Sequence, residues 1–407
     1  MADFLQTVLV TIAVGSLYAL VALGYTLVYG VLKFINFAHS DIFVLGAWTS
    51  FTTATVLIAR LGFDAEHAPL WLGPLVLLLA ICVCGMTGYL IERFAYRPLR
   101  KAPRLNVLIT AIGVSLLLQN VGQLKGFSVA SEGDRSLATV PFGPSPKSMP
   151  QLLPDAVLNE STVATGTASG GAKRGFVKLD KAIELADGRS YRLDVTRTVD
   201  GRPRVESLTL RAEAGRIEAG TEFQTQPRRN PEEVEGAAFK LVQAPLVPVR
   251  LIDVLIVVSS LTLMAGLQFL VYNTKMGTAM RALSFNTETA ALMGINVNRV
   301  ISFTFVLGTA LAAAAAFLYA MKYPGLNQTA HGIWVLLGLK AFVAAVVGGI
   351  GNVRGAVLGG FLIAGIEFFG RLYIDPRLSD VYVFGLLIVV LLVRPNGLLG
   401  TAVREKV

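Results

Sequence analysis

Apolar segments long enough to cross a lipid bilayer recur along most of this 407-residue chain. A helix needs about 20 apolar residues to span the hydrocarbon core, because it rises only about 1.5 Å per residue. Such segments include residues 70–90, 105–124, 251–272, 300–320 and the shorter run 381–393 with its apolar flank. Only 15% of the residues are charged, against about 25% in a typical soluble domain. We therefore predict an all-α polytopic membrane protein with eight or nine transmembrane helices.

The positive net charge does not indicate a nucleic-acid partner. The chain carries a formal charge of +9, but residues 131–240 contain 16 basic and 16 acidic side chains. The whole excess therefore lies elsewhere, in short loops between apolar segments. This is the distribution expected of cytoplasmic loops under the positive-inside rule. Membrane lipid is the expected environment, and no nucleic acid is expected as a partner.

The loop charges also predict an orientation. Residues 92–104 carry five basic side chains and one acidic side chain, which places them in the cytoplasm. The loop 273–299 and the C-terminal tail after Arg394 are basic as well and should lie on the same side. The sequence thus divides into transmembrane residues 1–124, an extracytoplasmic part 125–250, and transmembrane residues 251–407.

The polar part 125–250 is expected to hold a small β-rich module. Residues 189–212 form two stretches in which apolar and polar side chains alternate, separated by Asp200-Gly201. Alternation on both sides of an Asp-Gly pair is typical of a β-hairpin. Residues 131–175 are rich in Pro, Gly, Ser and Ala, which favours a linker. The module is too short to be a complete ligand-binding domain.

A polar interruption at residues 33–41 falls inside the first apolar region. It predicts either a loop or a broken helix, and broken helices at membrane depth need protein or a water-filled cavity around them. Asn36, His39 and Asp41 are candidates for the translocation path, because polar groups in the membrane usually face a cavity or a partner. A polar network that only holds the break together is an equally open interpretation.

The cytoplasmic stretch 281–296 is the candidate coupling segment, where a soluble partner would dock. Small side chains allow close approach, and Gly294 could end a helix. Glu288 could cap the N-terminal end of that helix or pair with a basic residue of the partner. An ordinary cytoplasmic loop is the alternative interpretation. The candidate coupling residues are Arg281, Glu288, Ala290, Ala291, Gly294 and Asn296.

A glycine-rich run follows in the second membrane part. Its spacing resembles overlapping small-xxx-small motifs, which let helices approach closely in lipid. Helix packing is therefore predicted, and a flexible gate is the alternative interpretation. Lys340 precedes the run and is expected either to reach the membrane interface or to pair with Glu367. The glycines concerned are Gly348, Gly349, Gly351, Gly355 and Gly359.

The sequence offers no catalytic or metal-binding pattern. Residues 166–173 resemble a phosphate-binding loop only superficially, since no Ser or Thr follows Lys173. The three histidines lack metal-ligand spacing, and Cys82 and Cys84 are spaced as packing residues. We expect no enzyme activity and no bound cofactor or metal, so energy must come from a separate subunit or an ion gradient.

Eight motifs, in order along both membrane parts, resemble the permease subunit of branched-chain amino-acid ABC importers. The first four are residues 24–30 (GYTLVYG), 35–39 (INFAH), 92–98 (ERFAYRP) and 111–115 (AIGVS). The others are 118–120 (LQN), 294–296 (GIN), 340–351 (KAFVAAVVGGIG) and 394–397 (RPNG). Residues 288–294 also resemble the Glu-Ala-Ala…Gly coupling motif of ABC importer permeases, with Thr289 as an extra residue.

The resemblance implies a transporter subunit of the bacterial inner membrane. It implies a second related permease, two cytoplasmic ATP-binding subunits that use ATP, and a periplasmic substrate-binding protein. Leu, Ile and Val are the implied substrates, with urea, short amides or other amino acids as alternatives. An ion-coupled secondary transporter is the rival mechanism, for which only Asp41 and Glu367 are suitably placed. The family usually has Gly and an acidic residue where this chain has Ser40-Asp41, and the insertion 145–240 has no usual counterpart.

Overall fold

The computed structural model describes most of the two membrane parts and the strands between them. The chain forms two compact units: Thr7–Asp155 with Leu251–Val407, and Met1–Gln6 with Ala156–Arg250. The described residues are 1–63, 68–100, 102–121, 147–154, 156–170, 176–179, 182–185, 190–199, 202–211, 215–217, 222–224, 237–326 and 333–400.

Eleven α-helices occur in these ranges, and most of them are long and apolar. Seven helical segments are long and apolar enough to cross a membrane, and residues 105–121 and 336–348 form two shorter apolar helices. The predicted polytopic helical fold is confirmed, and eight or nine spans would require one or both short helices to cross as well. The helices are α1 Ala2–Leu32, α2 His39–Leu61, α3 Leu72–Ile91, α4 Arg104–Val121, α5 Leu251–Asn273, α6 Lys275–Phe285, α7 Thr287–Leu292, α8 Val297–Lys322, α9 Ile333–Gly348, α10 Val353–Tyr373 and α11 Ser379–Val393.

Helices α1 and α8 form the centre of the helical unit. Every residue from 13 to 28 of α1 is buried, and so are most residues of α8. A helix that is apolar on all sides is expected to be surrounded by other helices. Helix α8 packs against α2 and α3, and its alanine-rich stretch 312–316 permits this close contact.

The polar interruption is a helix break. Helix α1 ends at Leu32, where Lys33 adopts a left-handed backbone conformation with φ of 57°, and α2 begins at His39. The break is therefore shorter than the predicted interval, and Asp41 lies in the first turn of α2. Helix α3 runs on into a π-helical turn, Glu92–Tyr96, a geometry often found at functional positions.

The second unit is built from β-strands. The strands in the described ranges are β1 Lys147–Ser148, β2 Ser161–Gly170, β3 Phe176–Leu179, β4 Ile183–Leu185, β5 Ser190–Val199, β6 Arg202–Arg211, β7 Gly215–Ile217, β8 Glu222–Gln224, β9 Ala237–Gln243 and β10 Gly325–Leu326. One antiparallel sheet of six strands has the order β6-β5-β9-β2-β3-β8. The predicted hairpin is present, since β5 and β6 pair from Ser190 opposite Arg211 to Val199 opposite Arg202.

Alternate side chains of the central strands make a small core. Tyr191 and Leu193 of β5 and Phe239 and Leu241 of β9 are buried, as expected of one face of a sheet. On β5, Arg192 bonds both Glu160 and Asp194, with nitrogen–oxygen distances of 2.6 to 3.1 Å.

Candidate coupling segment and buried polar clusters

The candidate coupling segment is an elbow of two helices, α6 and α7. Asn286 joins them, and its side-chain oxygen accepts hydrogen bonds from the backbone nitrogens of Glu288 at 2.9 Å and Thr289 at 3.0 Å. Asn286 is thus the N-terminal cap of α7, a position that was one of the two alternatives for Glu288. Glu288 lies instead in the exposed first turn, where its carboxylate is favourable to the helix dipole.

The elbow ends as the sequence predicts. Helix α7 stops at Leu292, and Gly294 adopts a left-handed conformation with φ of 83° that residues other than glycine rarely adopt. Asn296 then caps α8 by accepting a hydrogen bond from the backbone nitrogen of Arg299 at 3.1 Å. The segment is therefore tied directly to the N-terminus of the central helix α8.

The elbow exposes large apolar side chains that the sequence analysis did not single out. Phe285 is 92% exposed, Leu292 87% and Met293 79%. Ala290 is buried at the base of the elbow, and Ala291 is exposed. Arg281 lies on α6 with its guanidinium 5.4 Å from the ring centre of Tyr272. Exposed apolar residues at the ends of two short polar helices are typical of a docking surface.

The three candidate path residues lie at the α1–α2 break but contact different neighbours. Asn36 Oδ1 accepts a 2.6 Å hydrogen bond from the Tyr96 hydroxyl of the π-helical turn. The buried His39 packs against α1, where its ring centre lies 4.5 Å from that of Tyr25. The Asp41 carboxylate accepts hydrogen bonds from Ser115 and, at 2.9 Å, from Gln119, both on α4.

These contacts connect the break to the π-helical turn and to α4, and they hold His39 against α1. The side-chain oxygen of Asn36 and both carboxylate oxygens of Asp41 accept hydrogen bonds from described residues. A polar network that holds the break in place is the interpretation these bonds favour. A role in the path remains a prediction for all three residues.

The glycine-rich run lies where α9 turns back into α10. A Cβ added at Gly348 would come within 1.9 Å of the Gly355 carbonyl oxygen, and one at Gly359 within 2.0 Å of the Ala344 oxygen. A Cβ at Gly349 would lie 2.5 Å from the Gly400 nitrogen. Backbones of α9 and α10 thus approach as closely as small-xxx-small packing requires. Gly351 is different, because its φ of 92°, and not a close neighbour, requires glycine there.

Two buried charged clusters join helices that are far apart in sequence. In the Glu92 cluster, the Glu92 carboxylate binds Arg100 and accepts a hydrogen bond from Ser302 of α8. Arg100 also donates a 2.6 Å hydrogen bond to Asn298 Oδ1. Burial lowers the pKa of the Arg100 guanidinium, and the charge of Glu92 opposes that shift.

The Glu367 cluster lies at the other end of α8. Glu367 of α10 accepts hydrogen bonds from Lys340 Nζ at 2.7 Å, from the Tyr18 hydroxyl at 2.8 Å, and from Arg371. Lys340 also lies 2.7 Å from Asp380 Oδ1 of α11. The pairing of Lys340 with Glu367, one of two predicted alternatives, is therefore present, and it links α1, α9, α10 and α11.

Comparison with known proteins places both membrane parts in one family. The model of the family described as "Branched-chain amino acid transport system / permease component" matches residues 7–144 and 204–391. The match leaves out residues 145–203 and resumes within β6, so it does not mark the C-terminal edge of the predicted insertion. No solved structure matches the chain.

Individual relatives agree with the family match over the full chain. The high-affinity branched-chain amino acid transport system permease protein BraD of Pseudomonas aeruginosa is 34% identical, covering 99% of this chain and 98% of its own. The corresponding protein LivH of Escherichia coli is 31% identical over the same shares. The autoinducer 2 import system permease protein LsrC of Yersinia pseudotuberculosis is 29% identical over 36% of this chain and 43% of its own. Because the family model matches most of the chain and these relatives align along nearly all of it, the chain belongs to the family of branched-chain amino acid transport permeases.

Proposed function

We propose that this chain is the permease subunit of an ABC importer that passes branched-chain amino acids across the bacterial inner membrane. The observation that carries this proposal is the full-length similarity to permeases named for high-affinity transport of these amino acids. Those names favour amino acids over urea or short amides as the cargo. The apolar helices supply the membrane path, and an exposed elbow between α5 and α8 offers a place for a driving subunit.

The importer needs partners, because this chain is proposed to hold no cofactor and to have no catalytic activity. Two cytoplasmic ATPase subunits would use ATP, one docking here and one on a second, related permease. A periplasmic binding protein would deliver the substrate. In this arrangement the coupling segment and the C-terminus lie in the cytoplasm, and residues 125–250 lie in the periplasm, in agreement with the loop charges.

The ATPase subunit is the proposed occupant of the elbow. Phe285, Leu292 and Met293 present apolar surface, while Arg281 and Glu288 add polar groups at the edge. An apolar centre with a polar rim is the usual composition of a specific protein interface. Movement of the elbow would act directly on α8, because Asn296 caps that helix and Gly294 fixes the turn before it. This gives a route from ATP hydrolysis to alternating access of the helices.

Uptake by proteoliposomes tests the proposal as a whole. The complete importer, co-expressed with its partner subunits, is reconstituted with its binding protein and given labelled leucine or labelled urea. Leucine uptake that requires ATP is the expected result. Uptake of urea alone would overturn the substrate, and uptake driven by an ion gradient without ATP would overturn the importer mechanism.

A matched pair of phenylalanine variants tests the docking surface. Phe285→Ala removes an exposed side chain from the elbow, whereas Phe269→Ala removes a 62% exposed side chain from α5. Burying a phenylalanine stabilises an interface by about 1.5–3 kcal/mol, so Phe285→Ala should weaken ATPase binding roughly tenfold or more. Co-purification and ATP-driven uptake should both fall for Phe285→Ala and remain for Phe269→Ala. Equal behaviour of the two variants would contradict docking at the elbow.

A further inference from the structure

A cavity of about 330 Å³ lies in the helical unit, at the end of α8 away from the coupling segment. Its walls come from α1, the C-terminal ends of α8 and α10, and the N-terminal parts of α9 and α11. The volume is at the lower end of the range of about 300–1,000 Å³ that small-molecule sites occupy. All four charged residues of the Glu367 cluster line it.

The charges around the cavity balance. Lys340 and Arg371 supply two cations, and Glu367 and Asp380 supply two anions. The inner pair is almost fully buried, with side chains 7% exposed for Lys340 and 2% for Glu367. The other two side chains are more accessible, at 38% for Arg371 and 50% for Asp380. One cation and one anion thus remain accessible, while the inner pair neutralises itself.

Arg371 is oriented by its surroundings. Glu367 binds its guanidinium on one side, and the guanidinium carbon lies 5.1 Å from the ring centre of Phe368. Its Nε is buried and has no hydrogen-bond partner within the described part of the chain. A guanidinium held in this way, with its side chain 38% exposed, is well suited to a carboxylate, which it can bind through two nitrogens.

We propose that this cavity binds the substrate during transport as a zwitterionic α-amino acid. Arg371 holds the carboxylate, Asp380 holds the ammonium, and the aliphatic side chain packs against Leu336 and Val14. Glu367 and Lys340 are positioning residues that keep Arg371 and Asp380 in place. The inference rests on the proposed function, because it identifies where an importer of amino acids would hold its cargo.

The charge pattern distinguishes this ligand class from others. A phosphate would call for a net positive site, whereas the four side chains sum to zero at neutral pH. An uncharged amide such as urea brings no charge to Arg371 or Asp380, each of which then has only the opposite charge of the inner pair beside it. A zwitterion satisfies one cation and one anion at once and keeps the cavity neutral.

Substrate protection of a cysteine in the cavity wall tests the inference without depending on transport. Leu336→Cys places a thiol in the lining, and Cys82→Ala removes the exposed native thiol. The complete importer in nanodiscs, without binding protein, is treated with a small thiol reagent, and labelling of this chain is followed on a gel. L-leucine should slow labelling, whereas 3-methylbutylamine and 4-methylpentanoate, which each lack one charge, should not. Unchanged labelling in leucine, or equal protection by either analogue, would overturn the proposal.

Charge variants assign the roles within the same assay. Arg371→Gln should raise the leucine concentration for half-protection roughly tenfold, since a charge-assisted hydrogen bond is lost, and Arg371→Lys should restore part of it. Arg377→Gln is the matched control, because Arg377 is exposed and does not line the cavity. An equal effect of Arg371→Gln and Arg377→Gln would reject the site. If the importer takes up leucine but leucine does not slow labelling of the cavity, the cavity site is rejected and the proposed function stands. If the importer takes up urea and not leucine, the proposed substrate is rejected.

Discussion

The two charged clusters at the ends of α8 have similar chemistry and different surroundings. In the Glu92 cluster the carboxylate is fully buried and Arg100 is 18% exposed. In the Glu367 cluster the inner pair is 7% and 2% exposed, but Asp380 and Arg371 remain accessible beside a cavity. Helix α8, whose 26 residues span about 39 Å, contacts the first cluster through Ser302 and lines the cavity with Tyr319.

The difference suggests two kinds of task for buried charge in a membrane protein. Charged groups at membrane depth are costly, so each must be paired or face water. Glu92 binds Arg100 and Ser302, and Arg100 also binds Asn298, which fixes the π-helical turn to α8 beside the coupling segment. In the Glu367 cluster, Arg371 and Asp380 pair with the inner residues and also face the cavity. The first cluster is expected to act mainly on stability and the second mainly on the ligand.

The largest expected effect comes from breaking the Glu92–Arg100 pair, whose carboxylate is fully buried. Glu92→Met leaves Arg100 without its carboxylate, and removing one partner of a buried ion pair costs about 3–5 kcal/mol. The free energy of unfolding can be measured by SDS titration in mixed micelles, followed by tryptophan fluorescence. The double variant Glu92→Met/Arg100→Met should recover most of the loss, because no unpaired charge then remains. A single variant as stable as the parent would remove the contrast between the clusters.

Removing the central carboxylate of the second cluster should cost less. Glu367→Gln leaves Lys340 paired with Asp380 and leaves Arg371 partly in contact with water. The expected loss is about 1.5–3 kcal/mol, the cost typical of hydrogen bonds to a charged group. The same titration measures it, with Glu92→Gln as the isosteric counterpart. A loss larger than that of Glu92→Gln would show that both clusters act chiefly on stability.

Sequence alone predicts the parts of this fold that depend on local pattern. The apolar segments predict helices, alternation around Asp200-Gly201 predicts the hairpin, and Gly294 predicts the end of α7. Each of these features is decided by residues a few positions apart. The Asn286 cap is also local, since Asn is a favoured capping residue, and the motif around Glu288 points two positions too far along the chain.

The clusters could not be predicted in this way. Ser302 lies 210 residues from Glu92, and Tyr18 lies 349 residues from Glu367. Their meeting depends on which faces of distant helices pack together, and a single sequence does not determine that. The pairing of Lys340 with Glu367 could be predicted as one alternative because both residues lie in neighbouring apolar helices.

A smaller effect is expected where the Glu92 cluster touches α8. Ser302→Ala removes one hydrogen bond to Glu92 and leaves the pair with Arg100 in place. Loss of one hydrogen bond to a carboxylate costs about 1.5 kcal/mol, the low end of the range for charged groups, because the pair with Arg100 remains. The unfolding titration should show that loss, and Ser284→Ala on the exposed face of α6 provides a control with the same atoms removed. Equal stability of the two variants would mean that the cluster does not hold α8.

The smallest effect on stability, and the clearest separation of the two clusters, is expected at Asp380. Asp380→Asn keeps the shape of a half-exposed side chain and removes its charge opposite Lys340. Ion pairs in contact with water contribute only about 0–1 kcal/mol, so unfolding should change little. The proposed ammonium contact would be weakened, so the leucine concentration for half-protection should rise. The concentration of a larger amino acid, such as phenylalanine, that gives half-protection should rise as well. Glu92→Gln should do the reverse, lowering the free energy of unfolding without altering protection of the folded protein. Measuring stability and half-protection on both variants therefore decides whether the two clusters differ in task or only in how deeply they are buried.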